Sequence, residues 1–106
     1  MKKVLIICAA GMSSSLIAKK TTEYFASQGK EIEIDSTHAS QGVSSIKQDT
    51  FDMYLVSPQT KMYYKALKEA ADKFGKPLEN IPPQAYIPIP MGIEKLAKLV
   101  ADTLGM

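Results

Sequence analysis

Two short runs of uninterrupted apolar residues, Val4-Leu5-Ile6-Ile7 and Met53-Tyr54-Leu55-Val56, constrain this chain more than any other feature. A strand with one wet face alternates apolar and polar residues, whereas a strand covered on both faces does not need to. Both runs therefore predict central strands of a parallel sheet with helices above and below. Small or turn-forming residues close each run: Cys8-Ala9-Ala10-Gly11 after the first, Ser57-Pro58 after the second.

The intervening segments fit that plan. A serine cap at Ser14 or Ser15 opens a helix on which Ile17, Thr21, Tyr24, Phe25 and Gln28 recur at helical spacing, and Gly29 stops it. Glu31-Ile32-Glu33-Ile34-Asp35 alternates, as suits a strand at a sheet edge. A short helix is expected over Val43 to Gln48. Tyr63, Ala66, Leu67, Ala70, Ala71 and Phe74 mark the clearest helix, ended by Gly75 and Pro77. Ala85-Tyr86-Ile87, hemmed in by Pro82, Pro83, Pro88 and Pro90, is expected to be a second edge strand, because proline cannot donate to a ladder. Ile93, Leu96, Ala97, Val100, Ala101 and Leu104 give a last amphipathic helix. The order βαβαβαβα predicts an α/β fold: a four-stranded parallel open sheet, strand order 2-1-3-4, with helices on both faces. In such sheets ligands sit outside the carboxyl ends of the strands where the order reverses, which is where Cys8 falls.

Composition narrows the function classes. With 106 residues, 45% of them hydrophobic, the chain suits one domain over residues 1–106. All 13 basic residues are lysines, scattered among 11 acids for a net charge of +2, a poor footprint for nucleic acid. One cysteine excludes an internal disulfide and a cysteine-rich metal site, and is ordinary for the reducing cytosol. Lys2-Lys3 before an apolar run superficially resembles a signal peptide, but Gly11 and three serines end that run early. No stretch approaches the ~20 apolar residues of a membrane span, so a cytoplasmic protein is expected, with no direct membrane insertion.

A cysteine at the end of a central strand, followed by a small-residue loop and a helix start, receives three favourable terms. The helix dipole, the unpaired amides of the first turn and nearby hydroxyls all stabilise negative charge there. A thiolate is the nucleophilic form, and the same donors would hold the oxygens of a phosphoryl group on sulfur. Cys8 is thus the candidate nucleophile, with Ala9, Ala10, Gly11, Met12, Ser13, Ser14 and Ser15 as the phosphate-binding loop. Gly11 lets the backbone turn its amides inward, and the serines add donors or cap the helix. The competing reading is a buried strand-end cysteine with serines that only cap. His38, the sole histidine, should lie on the same rim. Candidate rim or partner-facing residues are Met12, Ile17, Pro58, Gln59 and Tyr86, although Ile17 also fits the core face of its helix. Met62, Tyr63 and Tyr64 read as core or boundary residues. No metal-ligand cluster and no nucleotide-binding glycine motif is present, so neither metal nor cofactor is expected.

The segment Cys8-Ala9-Ala10-Gly11-Met12-Ser13-Ser14-Ser15-Leu16 closely resembles the phosphorylation-site loop of the lactose/cellobiose family of enzyme IIB proteins, from the bacterial sugar phosphotransferase system. The layout of nearly the whole chain is similar too, including Pro58-Gln59 after the third strand. That resemblance implies a flavodoxin-like phosphocarrier shaped like a low-molecular-weight tyrosine phosphatase. Cys8 would accept a phosphoryl group from a phosphohistidine of enzyme IIA. It would pass it to a sugar, expected to be a β-linked disaccharide, bound by the membrane permease enzyme IIC. The activity implied is protein phosphocysteine-sugar phosphotransfer. A monomer is the expected form, since a carrier visiting two partners in turn needs its rim free.

Two alternatives belong to other classes. A tyrosine phosphatase of this shape wants an arginine six positions after the cysteine; here that position is Ser14, and the chain has no arginine to form the bidentate clamp. A non-catalytic interaction domain of the same shape would tolerate Cys8→Ser, which a phosphocarrier would not.

Overall fold

The computed structural model describes residues 2–8, 14–87 and 89–105, without the side chains of Ser14, Gln59 and Lys61. Strand β1 (Lys2–Cys8) leads to helix α1 (Ser14–Ser27), then β2 (Ile32–His38) and, after a single 3-10 turn, the short helix α2 (Gly42–Lys47). Strand β3 (Met53–Val56) is followed by a 3-10 segment (Pro58–Tyr63) and α3 (Tyr64–Lys73). The last elements are β4 (Leu78–Asn80), a 3-10 turn (Pro83–Ala85) and α4 (Pro90–Leu104). The four strands pair in parallel in the order β2-β1-β3-β4.

The apolar runs lie where a doubly covered strand must. Val4 and Ile6 of β1 pack with Met53 and Leu55 of β3 in a core roofed by Ile17 and Phe25 of α1 and Ile93, Leu96 and Val100 of α4. Their neighbours Leu5, Ile7, Tyr54 and Val56 face the other way, against Ile46 of α2 and Leu67, Ala70 and Ala71 of α3. A side-chain period of 2 thus splits one run between two cores. On β2 only one face is covered: Ile32 and Ile34 are buried and Asp35 is exposed.

Local chemistry fixes how the helices sit. Thr22 of α1 donates to the Ala18 carbonyl and accepts the Ile34 amide of edge strand β2, both at 2.9 Å, so one hydroxyl ties helix to sheet. Gly29, at φ +74°, turns the chain from α1 into β2. Gly42 has a different role: a Cβ there would come within 2.6 Å of Leu67 Cδ2 and 3.1 Å of Ile7 Cγ2. Glycine lets α2 approach the end of β1 and the middle of α3 without displacing the Leu67 and Ile7 side chains.

One expected strand is misplaced. The fourth strand is Leu78–Asn80, whereas residues 83–85 form a 3-10 turn with Ala85 and Tyr86 packed into the core. The adjacent Pro82 and Pro83 cannot donate to a ladder and set a turn instead. Leu78-Glu79-Asn80 buries only Leu78, so its three residues carry little periodic signal. The strand order is unaffected, because both segments lie between α3 and α4.

Candidate active site

Cys8 is the last residue of β1 and is buried, at 2% exposure. Its thiol donates to the Thr37 carbonyl of β2 across 3.5 Å. A thiol can make that contact and a thiolate cannot, so loading the sulfur with a group breaks it. Helix α1 begins at Ser14, six residues on, and has no acidic side chain in its first turn. Its N-terminal partial positive charge is therefore not neutralised from within the helix. Ala9, Ala10, Gly11, Met12 and Ser13 lie outside the described residues, as does the Ser14 side chain; Ser15 is exposed in the first turn of α1.

The sheet register assembles the rest of the site. Cys8 pairs with His38, the exposed end of β2. On the other side Ile7 pairs with Val56, and the ladder continues with the Ser57 amide donating to the Ile7 carbonyl at 3.0 Å. One more step along this register sets Ser57 beside Cys8. Side-chain alternation puts Val4, Ile6 and Cys8 on the α1/α4 face, together with Ile34, Ser36 and His38 of β2 and Met53, Leu55 and then Ser57 of the third strand. His38, Cys8 and Ser57 therefore form one row across the carboxyl ends of three adjacent strands.

Ser57 is wholly buried and has a partner in Thr60, also wholly buried, with 2.5 Å between the hydroxyl oxygens. The Thr60 amide donates to the Ser57 carbonyl at 3.0 Å, closing a tight turn around Pro58 and Gln59. Pro58 is half-buried at this turn; the Gln59 side chain lies outside what is described. Ser57 and Thr60 belong to no motif in the sequence, where Ser57-Pro58 reads as a turn. The signal for Ser57 was available: Cys8 and Ser57 each follow their four-residue apolar run by one position, so parallel pairing aligns them.

Other rim expectations need correction. Ile17 is wholly buried in the core, because it lies on the sheet-facing side of α1; its neighbour Leu16 is the exposed apolar residue there. Tyr86, at 8% exposure, packs into the same core. Met62 and Tyr63, expected at the core or its boundary, are exposed at 83% and 44%, because they precede α3 on a 3-10 segment instead of lying on its apolar face. Leu16, Met62, Tyr63, Ile87, Ile89 and Met91 are six of the seven large apolar side chains exposed among the described residues. All six lie in the connections that follow β1, β3 and β4 or in the first turn of the helices after them. Among those residues no cluster of three or more His, Cys, Asp or Glu side chains could hold a metal, and no helix is long and apolar enough to cross a membrane.

Comparison with known proteins agrees with this fold. Residues 3–99 match the family model for the lactose/cellobiose-specific IIB subunit of the PTS. The oligo-beta-mannoside-specific EIIB component of the PTS from Bacillus subtilis is 36% identical over 88 residues, spanning 81% of this chain and 82% of that protein. The lactose-specific IIB domain of the phosphoenolpyruvate:carbohydrate phosphotransferase system from Streptococcus pneumoniae superposes with a TM-score of 0.82 at 20% identity, covering 96% of each chain. The cellobiose-specific phosphotransferase IIB component of Borrelia burgdorferi gives 0.73 at 28% identity over 98% of this chain and 92% of that one. With a family match across nearly its whole length and the matching fold, the chain belongs to the lactose/cellobiose-specific IIB subunits of the sugar phosphotransferase system.

Proposed function

We propose that the protein is a cytoplasmic phosphocarrier in which Cys8 holds the phosphoryl group. The observation that carries this reading is the seat of Cys8: last residue of a central strand, at the switch point of the sheet, six residues before the start of α1. Family membership supplies the reaction class, phosphoryl transfer to sugar.

In the first step the Cys8 sulfur, its proton given up to water, attacks phosphorus of a phosphohistidine on enzyme IIA. The S–P bond forms as the N–P bond breaks, and the electron pair stays on the imidazole nitrogen, which takes a proton from solvent. In the second step a hydroxyl oxygen of the sugar held by enzyme IIC attacks phosphorus. The O–P bond forms, the pair of the S–P bond returns to sulfur, and the hydroxyl proton passes to water. Transfer of this kind depends on in-line positioning and on donors around the equatorial oxygens. Residues 9–15, with the amides at the start of α1, are the proposed donors. The chain has no arginine to clamp the group, which suits a carrier whose phosphocysteine must last until its acceptor arrives.

The apolar rim supports docking of two partners in turn, with charge at its centre and desolvating side chains around it. The sugar is a β-linked glycoside, a chemistry shared by the lactose, cellobiose and oligo-β-mannoside named for the similar proteins. Replacing Cys8 by serine is the test. In a system rebuilt from phosphoenolpyruvate, the general phosphotransferase components, enzyme IIA and membranes bearing enzyme IIC, Cys8→Ser should form no sugar phosphate. Wild-type levels of product from that variant would end the reading.

A further inference from the structure

We infer that Ser57 is a hydrogen-bond donor to the phosphoryl group on Cys8, held ready for that role by Thr60. This rests on the phosphocarrier reading and adds to it a residue outside the phosphate loop.

Two hydroxyls bring two O–H donors, and the contact between Ser57 and Thr60 uses one of them. Both side chains are wholly buried, so water does not take up the other. Their described hydrogen bonds give that second O–H no acceptor, although nearly every buried donor in a folded protein has one. An idle buried donor costs stability in the resting protein and is repaid when an acceptor arrives. The position indicates which acceptor. Ser57 follows the Val56–Ile7 pair in register, on the same face of the sheet as Cys8. Side chains so related stand about 5 Å apart, one S–P bond and one hydrogen bond from contact.

Either hydroxyl could donate in this contact; with Thr60 as donor to Ser57 Oγ, the Ser57 O–H is left to point toward the sulfur-bound phosphoryl oxygens. An uncharged donor fits a carrier: it holds the dianion without supplying the cation that would tighten it as an arginine does. Thr60 touches no reacting atom and is a positioning residue.

The test compares wild type, Ser57→Ala and Thr60→Val for the rate of phosphorylation by phospho-enzyme IIA and for the ³¹P resonance of the phosphocysteine, with circular dichroism as the fold check. Removing a hydrogen bond to a charged group should slow acceptance about ten- to hundred-fold in Ser57→Ala. It should also move the ³¹P resonance, which a loss of stability alone does not do. Thr60→Val, similar in shape, should give a smaller slowing and a resonance moved in the same sense. A folded Ser57→Ala protein with wild-type rate and wild-type resonance overturns the assignment while leaving the carrier reading intact. If Ser57→Ala does not fold, wild-type values for Thr60→Val overturn it. A wild-type protein that never acquires phosphate on Cys8 overturns both.

Discussion

Cys8, Ser57 and Tyr54 show how much a residue's role depends on which face of the sheet it points to. Cys8 and Ser57 share the α1/α4 face at the carboxyl end of the sheet, whereas Tyr54 points the other way into the core beneath α2 and α3. Burial there raises the Tyr54 phenol above its ordinary pKa of 10.0, and the nearby carboxylates of Asp49 and Asp52 push it the same way. A folded-state pKa above the unfolded one keeps the phenol protonated in the native protein while the unfolded chain ionises. Its contribution to stability is therefore complete below about pH 10 and is lost as pH rises through the folded-state value. Tyr54→Phe should remove that part of the alkaline destabilisation. In urea titrations, wild type and Tyr54→Phe should keep a constant stability difference up to about pH 9, and the variant should gain relative to wild type above pH 10. Parallel stability curves across that range would contradict the account. Cys8 stands out in the sequence as a candidate nucleophile because its chemistry is rare and its position follows an apolar run. Ser57 is harder to read, because serine after a strand ordinarily reads as turn chemistry; its signal is its place one residue past the second apolar run, which parallel pairing aligns with Cys8.

At the scale of elements, the helices and the two central strands followed from period alone. Ile93, Leu96, Ala97 and Val100 are buried on α4, and Leu67, Ala70 and Ala71 on α3, as the helical spacing required. The fourth strand escaped because three residues with one buried side chain carry almost no pattern, and their extended form comes from pairing with Tyr54, Leu55 and Val56. The exposed rim residues were hidden for a related reason. Met62 and Tyr63 are apolar and adjoin a helix, so periodicity assigns them to the core, whereas the 3-10 segment before α3 turns them outward. That rim gives an element-scale prediction. Met62→Glu and Ile89→Glu, both at exposed positions, should leave thermal unfolding within a few degrees of wild type. Each should raise the KM for phospho-enzyme IIA about ten-fold with little change in kcat, as expected for lost docking surface. An unchanged KM for both variants would remove this rim from the docking face.

For the molecule as a whole, a small parallel sheet with two cores brings the carboxyl ends of β1, β2 and β3 together. The register then places His38, Cys8 and Ser57 in one row across that rim. The opposite ends of the strands and the outer helix faces carry ordinary surface ion pairs, such as Lys68–Asp72 and Lys98–Asp102, which contribute little to stability. On the proposed function this edge is the working one, and it carries a phosphoryl group on one sulfur. The direct measurement is intact mass followed by phosphopeptide mapping after incubation with phosphoenolpyruvate and the general phosphotransferase components, with and without a matching enzyme IIA. The account predicts one added phosphoryl group, located on Cys8 and appearing only when enzyme IIA is present. An unmodified Cys8 beside a competent phosphorylated enzyme IIA, or a phosphoryl group found on His38 instead, would contradict it.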